Sequence, residues 1–102
     1  MIIITGTIKV ETEQEFLSVR EALIARVERS RKDRGNIEYA FSQDIADPGL
    51  LHLMEKWEDE ASLQAHLEIP DEEFSEVMTN AGIVSARVIS YVAANEKVLM
   101  SR

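Results

Sequence analysis

The 102-residue chain predicts an α+β domain of ferredoxin-like β-α-β-β-α-β order, a four-stranded antiparallel sheet with helices on one face. Three patterns carry that prediction. The segments Ile2 to Val10 and Ile83 to Val92 are rich in β-branched residues and largely apolar on both faces, as strands buried on both sides are. Two middle segments meet at Asp47-Pro48-Gly49, where proline fixes φ and glycine is free to take φ > 0. Between the strands, apolar residues recur at helical spacing.

Each element follows in order. Gly6 interrupts the first strand and marks a close backbone approach or a bulge. From Glu13 the period changes: Phe16, Val19, Leu23, Val27 and Ser30 fall on one helical stripe, widened by Leu17 and Ile24. Gly35 is the expected helix stop. Asn36 to Ile45 alternates, with Ile37, Tyr39 and Phe41 on one face. Leu50 to Trp57 is the return strand, antiparallel because the connection is short. Asp59 is placed to cap a short helix through Leu67. Pro70 to Ala81 predicts a further helix with an apolar stripe of Phe74, Val77, Met78 and Ala81. The last strand, Ile83 to Val92, is broken in polarity by Ser85, Arg87 and Ser90, and residues 95–102 form a C-terminal arm. The whole chain, 1–102, reads as one domain.

Helices on one face leave the other sheet face apolar and wet. A patch of that size predicts a homodimer through the sheet face. Composition narrows the rest. There are no cysteines, which excludes disulfides, thiolate metal sites and cysteine nucleophiles. Met1 leads straight into IIITGTIKV with no basic leader, and no apolar run approaches the ~20 residues of a membrane span. The expectation is a cytoplasmic protein with no membrane partner. A formal net charge of −8 disfavours phosphate backbones. The local exception is Arg26, Arg29, Arg31, Lys32 and Arg34. It reads either as an anion patch or as cations favoured at a helix C-terminus, and no aromatics are interleaved with it. No nucleic acid is expected. Motifs for serine hydrolases, zincins, phosphate loops and dinucleotide folds are missing.

The stretch Gly35-Asn36, Tyr39, Asp44, Asp47-Pro48, Glu55-x-Trp57, Asp59, Ala61, Leu63 and His66 resembles the antibiotic biosynthesis monooxygenase (ABM) domain, a dimeric α+β barrel. The resemblance covers nearly the whole chain. It implies an apolar pocket between sheet and helices in each subunit. It also implies oxidation of a small aromatic or carbonyl compound, of the quinol or anthrone type, by O₂ without a cofactor or metal. Members of the family also include isomerases, haem-degrading proteins and proteins without an assigned reaction. The haem-degrading members carry a tryptophan where this chain has His66, and an iron-ligating histidine where it has Glu76. They use a strand-1 asparagine where it has Gly6. Many members have a histidine at the place of Asp71.

His66 is the candidate catalytic base or proton donor, because histidine titrates near neutrality; the alternative is a capped, partly buried helix residue. Trp57, Tyr39, Phe74, Met78 and Arg87 are the candidate substrate-binding residues. Each has a plainer reading. Trp57 packs under the following helix, and Tyr39 and Tyr91 fill sheet surface. Phe74 and Met78 are core. Arg87 crosses a dimer interface to a carboxylate, or pairs with Glu55. Asn36 serves the turn, and His52 lies on the face opposite Glu55 and Trp57, at the surface or the interface. A non-catalytic, small-ligand-binding or stress-related dimer is the alternative function.

Overall fold

The computed structural model describes residues 1–102. Seven elements follow one another: β1 (Ile2–Val10), α1 (Glu13–Ser30), β2 (Asn36–Gln43), β3 (Leu50–Trp57), α2 (Glu60–Glu68), α3 (Glu72–Asn80) and β4 (Ile83–Val92). The strands form a single antiparallel sheet in the order β2-β3-β1-β4. The predicted fold class is therefore the observed one, including the two helices expected between β3 and β4.

The helices start where side chains cap them. Thr12 Oγ1 accepts the Glu15 N–H, Asp59 Oδ1 the Ser62 N–H, and Asp71 Oδ1 the Phe74 N–H. Each satisfies an otherwise orphaned donor of a first turn. Asp71 corrects the boundary drawn at Pro70. The aspartate side chain fixes the start of α3 at Glu72, and Pro70 lies just outside. Gly35 is also corrected. Helix α1 ends at Ser30, five residues earlier, and Gly35, at φ +82°, turns the chain into β2. A Cβ there would overlap the Ser62 side chain.

Strand alternation splits the sheet into two faces. Ile2, Ile4, Ile8 and Val10 of β1 and Leu51, Leu53, Glu55 and Trp57 of β3 are buried under the helices. Tyr39 joins them, paired with Glu55. Ile37 does not, because the β2–β3 register shifts between Asn36 and Glu38 and leaves it 54% exposed. The core has two apolar clusters. One is built on Trp57, Tyr39, Ile2, Ile4, Leu53 and Leu63, the other on Ile8, Val19, Leu23 and Leu51. The helix layer stops short of β4. Val84, Val88 and Val92 are 61%, 57% and 87% exposed, so within one chain neither face of β4 is buried as its sequence anticipates.

Candidate active site

Helix α2 turns Leu63 and His66, one turn apart, onto the sheet. His66 is 2% exposed. Its ring lies 4.6 Å from that of Trp57 and 5.7 Å from that of Tyr39, centroid to centroid. Nδ1 sits 2.7 Å from Asp33 Oδ2, and Nε2 sits 3.2 Å from Arg26 Nη2. A guanidinium only donates, so Nε2 is the acceptor and Nδ1 carries the proton given to Asp33. That hydrogen-bond assignment defines a neutral imidazole with its basic nitrogen aimed at Arg26.

Arg26 connects the parts. Its Nη1 donates to Asp71 Oδ2 at 3.2 Å and its Nε to the Tyr39 hydroxyl at 3.4 Å, while its Cζ lies 5.0 Å over the Phe74 ring. Burial opposes its charge, but Tyr39 and Asp71 outweigh that and raise its pKa. Arg29 reaches the same Asp71 oxygen at 3.4 Å, and its Nε and Nη2 are buried without an acceptor. Burial pushes the Tyr39 hydroxyl above its ordinary value, reinforced by the Glu55 charge, against the pull of Arg26. Burial also raises Glu55, whose Oε1 accepts the Trp57 indole N–H at 2.9 Å.

Two concavities adjoin this network. A groove of about 520 Å³ between α1 and the α2–α3 corner has Arg26 and Asp71 at its floor and Phe74 and Met78 in its wall. A hollow of about 310 Å³ lies between α1 and edge strand β2, lined by Phe16, Leu23, Ile24, Val27 and Phe41. The second is the more apolar, but His66 lines neither.

Of the candidate residues, His66, Trp57 and Tyr39 touch one another, and Phe74 and Met78 join them through Arg26 and the groove. Trp57 is 0% exposed and stands behind His66. Arg87 is not brought in. It pairs with Thr7 across β1–β4 and points to the open sheet face, away from Glu55, so the suggested Arg87–Glu55 pair is corrected as well. Asn36 serves the turn, donating to the Glu38 carbonyl at 3.1 Å. His52 lies on the open face and pairs with Asp44 at 2.8 Å.

Arg26, Asp33 and Asp71 were not among the candidates. Arg26 left a signal: it lies three residues after Leu23 and four before Ser30, a cation on the buried stripe. Asp33 left none, because its partner is 33 residues away. Nor is the basic stretch a free patch. Arg26 and Arg29 are spent on Asp71, and Arg31 Nε donates to the Tyr39 carbonyl at 2.9 Å. No group of three or more His, Asp or Glu side chains is placed to hold a metal ion. At Gly6 a Cβ would meet the Arg87 carbonyl oxygen at 3.1 Å and Val88 Cγ2 at 3.2 Å, so a side chain there is crowded and needs β4 to give by a few tenths of an ångström.

A split β-α-β-β-α-β sheet carrying a histidine between its helices and its buried face defines a small ferredoxin-like α+β domain. The chain belongs to the antibiotic biosynthesis monooxygenase family, whose sequence profile matches residues 1–76. YcnE of Bacillus subtilis (strain 168), provisionally named a monooxygenase, is 36% identical over 70 residues, 67% of this chain and 70% of that protein. An uncharacterised Synechocystis protein, sll1783, is 31% identical over 71 residues, 68% of this chain and 46% of its own length. A Deinococcus radiodurans structure, provisionally named an antibiotic biosynthesis monooxygenase, superposes with a TM-score of 0.84. It covers 99% of this chain and 100% of that one at 21% identity, a likeness of fold alone.

Proposed function

We propose that this protein is a cofactor-independent monooxygenase that oxidises a small aromatic or carbonyl compound of the quinol or anthrone type with O₂, working as a cytoplasmic homodimer. The observation that supports it is the neutral His66, oriented by Asp33, with its basic nitrogen one hydrogen bond from an arginine that floors a groove walled by Phe74 and Met78. In this reading the substrate lies in the groove against Phe74 and Met78. Arg26 transfers its Nη2–H from His66 to the substrate oxygen, and the freed Nε2 takes the substrate proton. The resulting anion passes one electron to O₂. The two radicals combine into a peroxide anion, which is protonated. The O–O bond then breaks, leaving one oxygen on carbon as a carbonyl and the other in water. Asp33 is the positioning residue.

A second reading has its own support. With 2% exposure and both ring nitrogens engaged, His66 equally suits a non-catalytic, small-ligand-binding or stress-related barrel. Oxygen uptake against a panel of hydroquinones and anthrones, with nothing else added, separates the two. The enzyme reading expects uptake that His66→Gln lowers about 100-fold or more. Uptake indifferent to His66→Gln removes the histidine from the mechanism. Binding without uptake across the panel, read by quenching of the single Trp57, favours the second reading.

A further inference from the structure

Two arginines at the α2–α3 corner are used very differently. Arg26 engages all three of its nitrogens: Nε with the Tyr39 hydroxyl, Nη1 with Asp71 Oδ2 and Nη2 with His66. Arg29, one turn further along α1, engages only one. Its Nη1 meets Asp71 Oδ2 at 3.4 Å and the Pro70 carbonyl at 3.5 Å, while Nε and Nη2 are buried without an acceptor. Those two nitrogens share one edge of the guanidinium. They form the fork that takes a carboxylate through two parallel hydrogen bonds. Keeping such charged donors from both water and an acceptor is costly, so the fork suits a partner from outside the chain. The carboxylate opposite is divided. Asp71 Oδ1 caps α3 through the Phe74 N–H, and Oδ2 is shared by both arginines. Charge-assisted bonds run at about 2.7–2.9 Å, so the 3.2 and 3.4 Å contacts at Asp71 are slack.

We infer that Arg29 is a carboxylate anchor and that the ligand it takes is an aromatic carboxylic acid, an inference that rests on the substrate groove proposed above. The ring of the acid lies against Phe74 and Met78 in the groove wall, and its carboxylate takes the Nε/Nη2 fork. Asp71 stands in for that carboxylate when no ligand is bound. Because the fork is buried, the acid enters by drawing Arg29 away from Asp71 and Pro70. Little apolar burial resists movement of the corner, since Leu67 and Ile69 are 59% and 42% exposed. The local charge favours the exchange: two guanidiniums face one carboxylate, in a chain whose formal net charge is −8. The planar, two-donor edge of Arg29 also fits the planar, two-oxygen carboxylate better than a neutral carbonyl, which offers one oxygen. The substrate class of the groove thereby narrows from small aromatic or carbonyl compounds to those that carry an acid group.

Isothermal titration calorimetry with 2-naphthoate, and with 2-naphthamide as its neutral isostere, tests this. Wild type should bind the acid about tenfold or more tightly than the amide. Two variants then break the same Arg29–Asp71 pair from opposite sides. Arg29→Lys keeps the charge but loses the fork, so it should weaken 2-naphthoate about tenfold and leave 2-naphthamide unchanged. Asp71→Asn keeps a cap oxygen and removes the competing anion. It should tighten 2-naphthoate about tenfold, because apparent affinity rises with the fraction of chains whose fork is free. If the pair is purely structural, the two variants shift acid binding in the same direction, and that result overturns the inference. Equal binding of acid and amide by wild type overturns it too, as does acid that binds neither wild type nor Asp71→Asn at millimolar concentration. Cooperative thermal unfolding shows that each variant is folded; for a variant that is not, the comparison of acid with amide on wild type decides. None of these readouts needs turnover. Acid binding as expected, with no oxygen uptake, removes the oxidation and leaves the anchor. Oxygen uptake that depends on His66 but shows no preference for acids removes the anchor and leaves the oxidation.

Discussion

Exchanging Trp57 for phenylalanine probes how the core holds a buried charge beside His66. The indole is 0% exposed and donates its only N–H to Glu55 Oε1 at 2.9 Å, and Glu55 is itself 6% exposed. Phenylalanine strands that carboxylate. A hydrogen bond to a charged group contributes about 1.5–3 kcal/mol. The missing ring atoms add transfer and cavity losses of about 1–2 kcal/mol. Trp57→Phe is therefore expected to cost about 2.5–5 kcal/mol. The same change in a Glu55→Gln background strands only a neutral amide oxygen, so about 1 kcal/mol adds to the packing part of about 1–2 kcal/mol. The assay is urea unfolding followed by far-UV circular dichroism, because the sole tryptophan is lost. A coupling of about 1 kcal/mol between the two sites is the expected outcome. A coupling below about 0.5 kcal/mol refutes the claim that the indole holds Glu55 as a buried anion.

The remaining expectations are shorter. The folded-state value of Glu55 is raised by burial, so wild type binds the proton more tightly folded than unfolded. Stability must then fall as pH rises from the ordinary glutamate range through the raised value, and Glu55→Gln should flatten that slope in pH-dependent melts. Asp44, Asp47 and Asp59 are depressed, by His52, Lys9 and the Ser62 N–H respectively. Their contribution is present above the ordinary aspartate range and is lost as pH falls below about 4. Acid titration of Asp59→Asn, which keeps the cap oxygen, should show a smaller loss over that range than wild type. Gly35→Ala adopts φ +82° at a cost of about 1–2 kcal/mol and also overlaps Ser62. Adding Ser62→Gly should recover the overlap but not the φ cost, and full recovery would show that the backbone is relaxed there. Arg26→Lys keeps the charge but replaces three separate contacts by one ammonium, so chemical denaturation should read a loss of about 1.5–3 kcal/mol.

What the chain announced about itself was local. Asp59 begins its helix because capping is decided within three residues, and Asp47-Pro48-Gly49 carries the hairpin turn, with Gly49 needed for the close approach of the Val10 carbonyl and not for a positive φ. Strand faces were legible wherever alternation is undisturbed, as at Tyr39 and Trp57. They failed at Ile37, where a register shift, which alternation does not record, moved it off the face. Gly35 misled because glycine marks a positive φ without saying which element needs it. At the site, His66, Tyr39 and Trp57 came together as their positions on α2, β2 and β3 foretold. The network holding His66 did not, because Asp33 and Arg26 meet it across 33 and 40 residues. Arg87 was readable as an odd cation in an apolar strand, but the face it takes depends on a count from Thr7 that only the register supplies.

The sheet order has a consequence for synthesis. Strand β1 lies between β3 and β4, and Ile2 pairs with Val92, while the Ala93 N–H donates to the Met1 carbonyl at 2.8 Å. Within this domain the first strand translated is thus completed by the last. Until residue 92 is free, the β-branched run Ile2–Val10 presents one open hydrogen-bonding edge, the kind of template on which nascent chains aggregate. A cut before Ile83 would leave it so permanently. The same closeness makes the two strand ends joinable, and a chain circularised there and reopened at the exposed Ile45–Ala46 loop would translate β1 and β4 as neighbours.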